Sequence, residues 1–317
     1  MSRLKLGMSL CLPVVLIVAA STVRAATLSV NCAAKEGLHS IGAALKVLQH
    51  GQGHEPSTIN VYGACHENVV IQSLDRLTLN GVNGASVTDA SGGNLDVISI
   101  QDSHDVAING FTVNAGSGAG NGVSCGDFST CRLRENVIQG ATSAVGFSIS
   151  GRSQATLDGD TLQNNGTGLD VRSSSGARLS AAATAKPFTA RGNSTGVVVR
   201  RGGYAFFSAV IENNSGGGVD VAFASILELA DSSISGNGSG NGSVGVLVRE
   251  GSFARFQRSN ITGNAGGGVV YSDLSMGDFV GTTVSSNGGQ TDVLCNPQFS
   301  ATRGTATIGG TTNCVEP

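Results

Sequence analysis

A short pattern of apolar and polar positions recurs about seven times between Asn121 and Cys295. Each copy begins with a glycine, after which apolar and polar residues alternate, as in Gly168-Leu169-Asp170-Val171. Such alternation is typical of β-strands, and self-similarity at a period of about 20 to 50 residues is typical of a solenoid. The repeat glycines are Gly122, Gly146, Gly168, Gly196, Gly218, Gly245 and Gly268.

Two further positions of the repeat are nearly fixed. A large apolar residue follows each glycine after eleven positions, at Leu133, Leu157, Leu179, Phe207 (or Phe206), Leu229, Phe256 and Phe279. An asparagine closes most units, at Asn165, Asn193, Asn214, Asn237, Asn264 and Asn287. Because asparagine tolerates left-handed backbone and can bond locally, we expect these residues to turn the chain and to stack from coil to coil. The sequence therefore predicts coils of about three short parallel strands.

The repeat Asn-x-x-x-Gly-apolar-x-apolar resembles that of the right-handed parallel β-helix proteins of the pectin-lyase-like superfamily. The resemblance covers residues 55–294, with regular repeats from about residue 121. It implies an all-β fold, a right-handed parallel β-helix solenoid. In the polysaccharide enzymes of this superfamily the substrate lies along an outward strand face walled by loops. The resemblance is specific for the fold, whereas the function must be argued from a site.

The first 25 residues are typical of a secretory signal peptide. They have a basic start, an apolar core and the small-residue end Val23-Arg24-Ala25. No later segment is apolar over a length sufficient to cross a membrane. We therefore predict a secreted or periplasmic protein without a membrane span.

The segments that flank the coils are predicted to be caps. Residues 26–54 form the N-terminal cap, with a helix over Lys35–Gln49. Its leucines Leu38, Leu45 and Leu48 share one face with Ile41, which would cover the first coil. Residues 295–317 form a C-terminal cap held by a disulfide bond.

Charge and cysteine content narrow the class of protein. The formal net charge of −3 argues against nucleic acid as a partner, because such partners require clustered Lys and Arg. Six of the seven cysteines follow the predicted signal peptide, and an even number in an exported chain favours disulfide bonds. Proximity along the chain favours Cys32–Cys65, Cys125–Cys131 and Cys295–Cys314, although the sequence leaves other pairings open.

The strand pattern also predicts which side chains face outward. If the first and third residues after each glycine fill the interior, the second and fourth face solvent. The first outward column is Ser124, Ser148, Asp170, Val198, Asp220, Leu247 and Val270, and the second is Gly126, Ser150, Arg172, Arg200, Ala222, Arg249 and Ser272.

We predict that Asp170, Arg172, Arg200, Asp220 and Arg249 bind an acidic polysaccharide. Guanidinium groups are suited to bidentate contacts with carboxylates. The alternative is that Asp170 and Arg200 are cross-strand neighbours that balance charge on a solvated surface.

Three residues are candidates for catalysis. Asp170 and Asp220 should lie about 10 Å apart, two strand spacings, which is close to the carboxylate separation of inverting glycosidases. The polygalacturonase motifs are, however, absent. Asp102-Ser103-His104-Asp105 is similar to the Asp-Pro-His-Asp element of mannuronan epimerases, in which case His104 would be the base. Otherwise it is a polar turn.

No cofactor site is evident in the sequence. Lyases of this superfamily usually hold Ca²⁺ with clustered carboxylates, and the outward column contains no such cage, so Ca²⁺ is unsupported. His50 and His54 are too few to predict a zinc site. Three functions therefore stay open: polysaccharide binding, an enzyme acting on uronate polymers (lyase, C5-epimerase or glycoside hydrolase), and an adhesin or structural rod. The oligomeric state is also open.

Overall fold

The computed structural model describes residues 25–51, 55–181, 183–240, 242–289, 291–295, 301–309, 312 and 314. The predicted signal peptide lies outside these residues apart from Ala25, and so does His54. The described residues form one helix, α1 (Ile41–Gly51), and 29 strands. The strands are β1 (Ala26–Asn31), β2 (Ser57–His66), β3 (Val69–Gln72), β4 (Leu77–Thr88), β5 (Ile98–Gln101), β6 (Val106–Asn109), β7 (Thr112–Asn114), β8 (Val123–Gly126), β9 (Thr130–Arg134), β10 (Val137–Gln139), β11 (Val145–Ile149), β12 (Gln154–Asp158), β13 (Thr161–Gln163), β14 (Thr167–Arg172), β15 (Gly176–Leu179), β16 (Phe188–Arg191), β17 (Thr195–Arg200), β18 (Tyr204–Phe207), β19 (Ala209–Glu212), β20 (Gly217–Ala222), β21 (Ile226–Ala230), β22 (Ser233–Ser235), β23 (Val246–Val248), β24 (Phe253–Gln257), β25 (Asn260–Thr262), β26 (Val269–Tyr271), β27 (Met276–Ser285), β28 (Val293–Cys295) and β29 (Ala301–Ile308).

The strands form two sheets that wrap around one core. The first contains ten strands in the order β3-β5-β8-β11-β14-β17-β20-β23-β26-β28. The second contains nineteen strands and covers the other two sides, since the long strands β2, β4 and β27 each continue around a corner. Neighbouring strands are parallel, as in β11–β14 and β12–β15. Each regular coil thus adds one strand to the first sheet and two to the second, which confirms the predicted parallel β-helix.

The interior follows the predicted alternation of side chains. Val246 and Val248 are completely buried, whereas Leu247 between them is only half-buried. In the fourth repeat Phe207 points inward and pairs with Leu229, while the side chain of Phe206 is 41% exposed. Phe207 is therefore the core residue of that repeat.

The closing asparagines form a continuous buried ladder. In a typical step, the backbone N–H of Asn193 donates to Oδ1 of Asn214 at 3.0 Å, and Nδ2 of Asn193 donates to the same oxygen at 3.0 Å. The same Nδ2 also donates to the carbonyl of Leu162 at 3.0 Å. The predicted stacking of asparagines is confirmed, and it supplies partners for backbone groups that a buried corner would otherwise leave unpaired.

A second corner of the coil contains a buried carboxylate. Asp160 is completely buried between β12 and β13. Its Oδ1 accepts hydrogen bonds from the backbone N–H and Nδ2 of Asn136 at 2.9 and 2.8 Å, and its Oδ2 accepts one from the N–H of Asp158 at 3.1 Å. Burial raises the pKa of Asp160 to about 6, although these hydrogen bonds oppose the rise.

Asp160 should therefore make the protein less stable as the pH rises from about 4 to about 6. In this window the folded state holds a proton that the unfolded chain has lost, so the free energy of unfolding falls by roughly 3 kcal/mol. Asp160→Asn should remove this pH dependence in urea denaturation at about pH 4 and pH 7. Asp231→Asn is a control of opposite sign, because a hydrogen bond from Arg258 lowers the pKa of Asp231. Equal pH dependence in the wild type and Asp160→Asn would contradict the assignment.

The N-terminal helix begins at Ile41, not at Lys35 as predicted, and ends at Gly51. Gly37 has a φ of +79°, which interrupts helical geometry before this point. The side chain of Ser40 accepts a hydrogen bond from the N–H of Ala43 at 3.1 Å and caps the helix. The carboxylate of Glu67 also accepts hydrogen bonds from the first two N–H groups of the helix, at 2.7 and 2.9 Å. The helix packs on the first coil as predicted, and Ile41, Ala44, Leu45 and Leu48 join the core there.

The coils extend beyond both predicted boundaries. β1 pairs in parallel with β2, so the predicted N-terminal cap contains a strand of the first coil. β29 pairs in parallel with β27, so strands continue past residue 294.

The structure contains the disulfide bonds Cys32–Cys65, Cys125–Cys131 and Cys295–Cys314. Cys32–Cys65 and Cys295–Cys314 therefore tie the terminal segments to the neighbouring coils, at the ends of the solenoid where fraying begins.

Candidate functional site

The outward face of the ten-stranded sheet carries the predicted charged ladder. Asp170 on β14 is paired with Val198 on β17, and Val198 is paired with Asp220 on β20. Arg172 is paired with Arg200 across the same strands. Adjacent strands are about 4.8 Å apart, so the two aspartates are separated by about 10 Å. The register is the one that the sequence predicts.

Asp170 lies beneath two arginines. Its side chain is only 1% exposed, whereas those of Arg172 and Arg200 are 32% and 35% exposed. Arg200 donates two hydrogen bonds, from Nε to Oδ1 at 3.1 Å and from Nη2 to Oδ2 at 2.8 Å. Arg172 donates a third, from Nη1 to Oδ2 at 3.1 Å. One buried carboxylate thus fixes two guanidinium groups at the surface and leaves a net charge of +1.

Asp220 forms a second cluster on the same face. Arg249 donates from Nε and Nη2 to the two oxygens of Asp220, at 3.1 and 3.0 Å. Its Nη1 donates to Glu250 at 3.0 Å, and its guanidinium carbon lies 5.9 Å from the ring centroid of Phe223. The sequence pattern did not single out Glu250 or Phe223, because both lie in corners outside the strand alternation.

The arginines of the ladder are hydrogen-bonded to the aspartates of the same face. Hydrogen bonding to Asp170 raises the pKa of Arg200 above its ordinary value, and hydrogen bonding to Asp220 does the same for Arg249. Within the part of the chain that the structure describes, Nη1 of Arg200 and Nη2 of Arg172 have no hydrogen-bond acceptor. These N–H groups can donate hydrogen bonds to an anionic ligand. A planar carboxylate could accept two such hydrogen bonds.

The repeat contains additional residues in two places, and these two insertions lie in different corners of the coil. The additional residues between Leu179 and Asn193 lie in the corner between β15 and β16, away from the charged face. The additional residues between Asn237 and Gly245 lie in the corner that leads into β23, at the N-terminal end of an inner strand of the ten-stranded sheet. Only the second insertion borders the charged ladder, beside Asp220 and Leu247.

The predicted catalytic residue His104 does not join the ladder. It lies in the corner between β5 and β6, and β5 is three strands, or about 14 Å, from β14 along the first sheet. Its side chain is 56% exposed, and its Nδ1 lies 3.3 Å from Oδ1 of Asp75. The segment Asp102 to Asp105 connects β5 to β6, with positive φ at both aspartates.

The described residues offer no convincing metal centre. The one group of three potential ligands that lie together there is Cys32, Cys65 and Glu67, and its two cysteines form a disulfide bond. The two carboxylates of the ladder are separated by Val198 and are bound to arginines. The helix α1, the one helix in the described part of the chain, is not long and apolar enough to cross a membrane.

Comparison with known proteins identifies the architecture. Residues 178–303 match a family model described as a right handed beta helix region. No curated protein sequence matches the chain.

Similar solved structures include two modules from Azotobacter vinelandii. The mannuronan C-5 epimerase AlgE4 A-module is 15% identical, with a TM-score of 0.58 over 91% of this chain and 98% of that one. The AlgE6 A-module of the same organism is 16% identical, with a TM-score of 0.54 over 87% and 91%. Pectate lyase Pel9A is 12% identical, with a TM-score of 0.50 over 93% and 80%. At these identities the similarity concerns the fold.

Proposed function

We propose that this chain, a right-handed parallel β-helix of the pectin-lyase-like superfamily, is an exported protein that binds an acidic polysaccharide along its charged strand face. The binding residues are Arg172, Arg200 and Arg249, and Asp170 and Asp220 hold their guanidinium groups in place. Export is supported by the sequence of the first 25 residues and by the three disulfide bonds, which persist in oxidising compartments.

The observation that carries this proposal is the burial of Asp170 on an outward face. A desolvated carboxylate costs several kcal/mol unless its partners are well placed, and a surface strand needs no such group for stability. Here the carboxylate fixes two arginines whose remaining donors face solvent. Pre-ordered donors lose less conformational entropy when a ligand binds. A linear glycan that carries carboxylates at regular intervals matches donors that recur along a ladder.

The same geometry favours binding over catalysis. Both oxygens of Asp170 and of Asp220 accept hydrogen bonds from arginine, so neither is placed to take a proton from a substrate. The outward columns of the described strands β8 to β26 contain no histidine, lysine or tyrosine to serve instead. The epimerase and lyase names of the similar structures nevertheless point to uronate polymers as the ligands to test.

Arg200→Ala is expected to weaken the binding of a polyuronate by roughly 1.5–3 kcal/mol, the value of a hydrogen bond to a charged group. Isothermal titration calorimetry at low salt would measure the loss. Because the substitution leaves Asp170 with one arginine, Arg172→Ala is a second test that preserves the bidentate pair. Unfolding curves of both variants would separate lost binding from lost stability.

Arg258→Ala is the matched control. Arg258 also binds an aspartate with two nitrogens, at 2.8 and 2.6 Å, but its partner is Asp231 in a corner outside the ladder. We expect this variant to bind polyuronate as the wild type does. Equal losses of polyuronate affinity in the Arg200 and Arg258 variants, or no binding by the wild type at low salt, would contradict the proposal and favour a structural rod.

A further inference from the structure

One row of outward side chains on the second sheet changes from polar to apolar along the solenoid. The row is formed by the first residue of each strand, and on β9, β12 and β15 these residues are Thr130, Gln154 and Gly176. On β18, β21, β24 and β27, which follow in register, they are Tyr204, Ile226, Phe253 and Met276. Ile226 and Met276 are 45% and 54% exposed. From the first to the last of these four strands, the apolar row is about 14 Å long.

An aromatic side chain widens this row into a patch. Phe206 lies two positions after Tyr204 on the same strand and is 41% exposed, and the centroids of the two rings are 5.9 Å apart. Single exposed apolar residues are common on soluble proteins, whereas a contiguous apolar patch is typical of an interaction surface. The apolar patch is defined by five residues: Tyr204, Phe206, Ile226, Phe253 and Met276.

A charged row runs beside the apolar patch, two residues further along the same strands. Glu228, Arg255 and Asp278 follow one another on β21, β24 and β27. Glu228 accepts a hydrogen bond from Nε2 of Gln257 at 2.7 Å, and Nε of Arg255 lies 3.2 Å from Oδ2 of Asp278. Acidic and basic groups thus alternate, and the two middle strands of the patch, β21 and β24, carry opposite charges.

Two copies of this face match each other when the solenoids are antiparallel. A twofold axis along the strand direction, between β21 and β24, reverses the order of the strands in the second copy. Ile226 then faces the partner's Phe253, and Glu228 faces the partner's Arg255, and each contact occurs twice. A twofold interface requires such self-complementarity. The same axis keeps the strands of the two sheets aligned, as is usual when sheets pack face to face.

We propose that the apolar patch is the interface of an antiparallel homodimer. The dimer leaves the charged ladder of each copy open, because the ladder lies on the ten-stranded sheet and the patch on the other sheet. The inference therefore does not depend on the proposed function. The patch covers only four strands, less than a standard interface of about 800 Å² per partner, so we expect a dissociation constant in the micromolar range or above.

Sedimentation velocity without polysaccharide tests the dimer. The wild type should be largely dimeric at roughly 200 µM and monomeric at roughly 1 µM. Ile226→Asp should raise the dissociation constant roughly tenfold or more, because it places a carboxylate against the partner's Phe253. Val70→Asp is the matched control, because Val70 is an outward strand residue on the other sheet and is 54% exposed. A wild type that is monomeric at the highest concentration, or equal self-association of the two variants, would overturn the inference.

The charged row tests the antiparallel register. Glu228→Arg places like charges opposite each other at the partner's Arg255, and Arg255→Glu does the same at the partner's Glu228. Each variant alone should self-associate roughly tenfold more weakly or worse than the wild type. An equimolar mixture of the two has opposite charges at both contacts, so it should form a heterodimer with nearly wild-type affinity.

Unfolding curves of both charge variants would confirm that each is folded before the mixture is measured. A mixture of folded variants that associates no better than either variant alone would overturn the antiparallel dimer. The proposed function has a separate readout, because the monomeric variants keep the charged ladder and should bind polyuronate as the wild type does.

Discussion

Val248→Asp is expected to abolish cooperative folding, or to leave a protein with severely reduced stability. Val248 on β23 is completely buried and stacks between Val221 and Tyr271 of the neighbouring coils. An ionised carboxylate at this position has no partner, and its effective desolvation cost is several kcal/mol. This cost is comparable to the whole stability of a typical domain, about 5–15 kcal/mol. Circular dichroism and urea denaturation would measure the loss.

The control for this variant is the same substitution on the outward side of a strand. Val70→Asp places the carboxylate where the side chain is 54% exposed, away from the charged ladder. We expect it to change the free energy of unfolding by less than about 1 kcal/mol, as is usual for surface positions. Comparable damage from both variants would contradict the inward and outward assignment of the strands.

Asn214→Ala is expected to destabilise the protein by roughly 2–6 kcal/mol. Oδ1 of Asn214 accepts hydrogen bonds from the N–H and Nδ2 of Asn193, both at 3.0 Å, and its own Nδ2 donates to Ala190 and Asn237. Alanine would leave two buried donors of Asn193 without an acceptor, and each such donor costs about 1–3 kcal/mol. Urea denaturation followed by circular dichroism would give the difference.

Asn260→Ala is the matched control for Asn214→Ala in the asparagine ladder. Asn260 is an exposed asparagine at the start of β25, with no side-chain role in the ladder. Its replacement should be nearly neutral. If the two variants have equal stability, the asparagine ladder is not a major source of stability in this fold.

Most of the fold could be predicted from the repeat. The alternation in Gly245-Val246-Leu247-Val248 fixes which side of the strand is inward, and the constant spacing aligns neighbouring coils, so Asp170 and Asp220 appear in the predicted register. The right-handed parallel β-helix that the resemblance implies is confirmed by the family match over residues 178–303 and by the similar structures. These features depend on local periodicity, which a single sequence displays directly.

The features that were missed depend on contacts between distant residues. The start of α1 is set by Glu67, which binds its first N–H groups and lies 26 residues further along the chain than Ile41. The burial of Asp170 depends on Arg200, which reaches it from the next coil. The insertion before β23 lies beside Asp220 because it folds against the neighbouring coils. In the sequence this insertion was visible only as a longer repeat.

The most direct test of the central claim is a crystal structure of the protein with a short oligouronate. The account predicts that the sugar chain lies along β14, β17, β20 and β23, with a carboxylate within hydrogen-bond distance of Arg172 or Arg200. An oligouronate bound on another face, or an unoccupied ladder in crystals soaked at millimolar concentration, would contradict the assignment of this face as a polysaccharide-binding site.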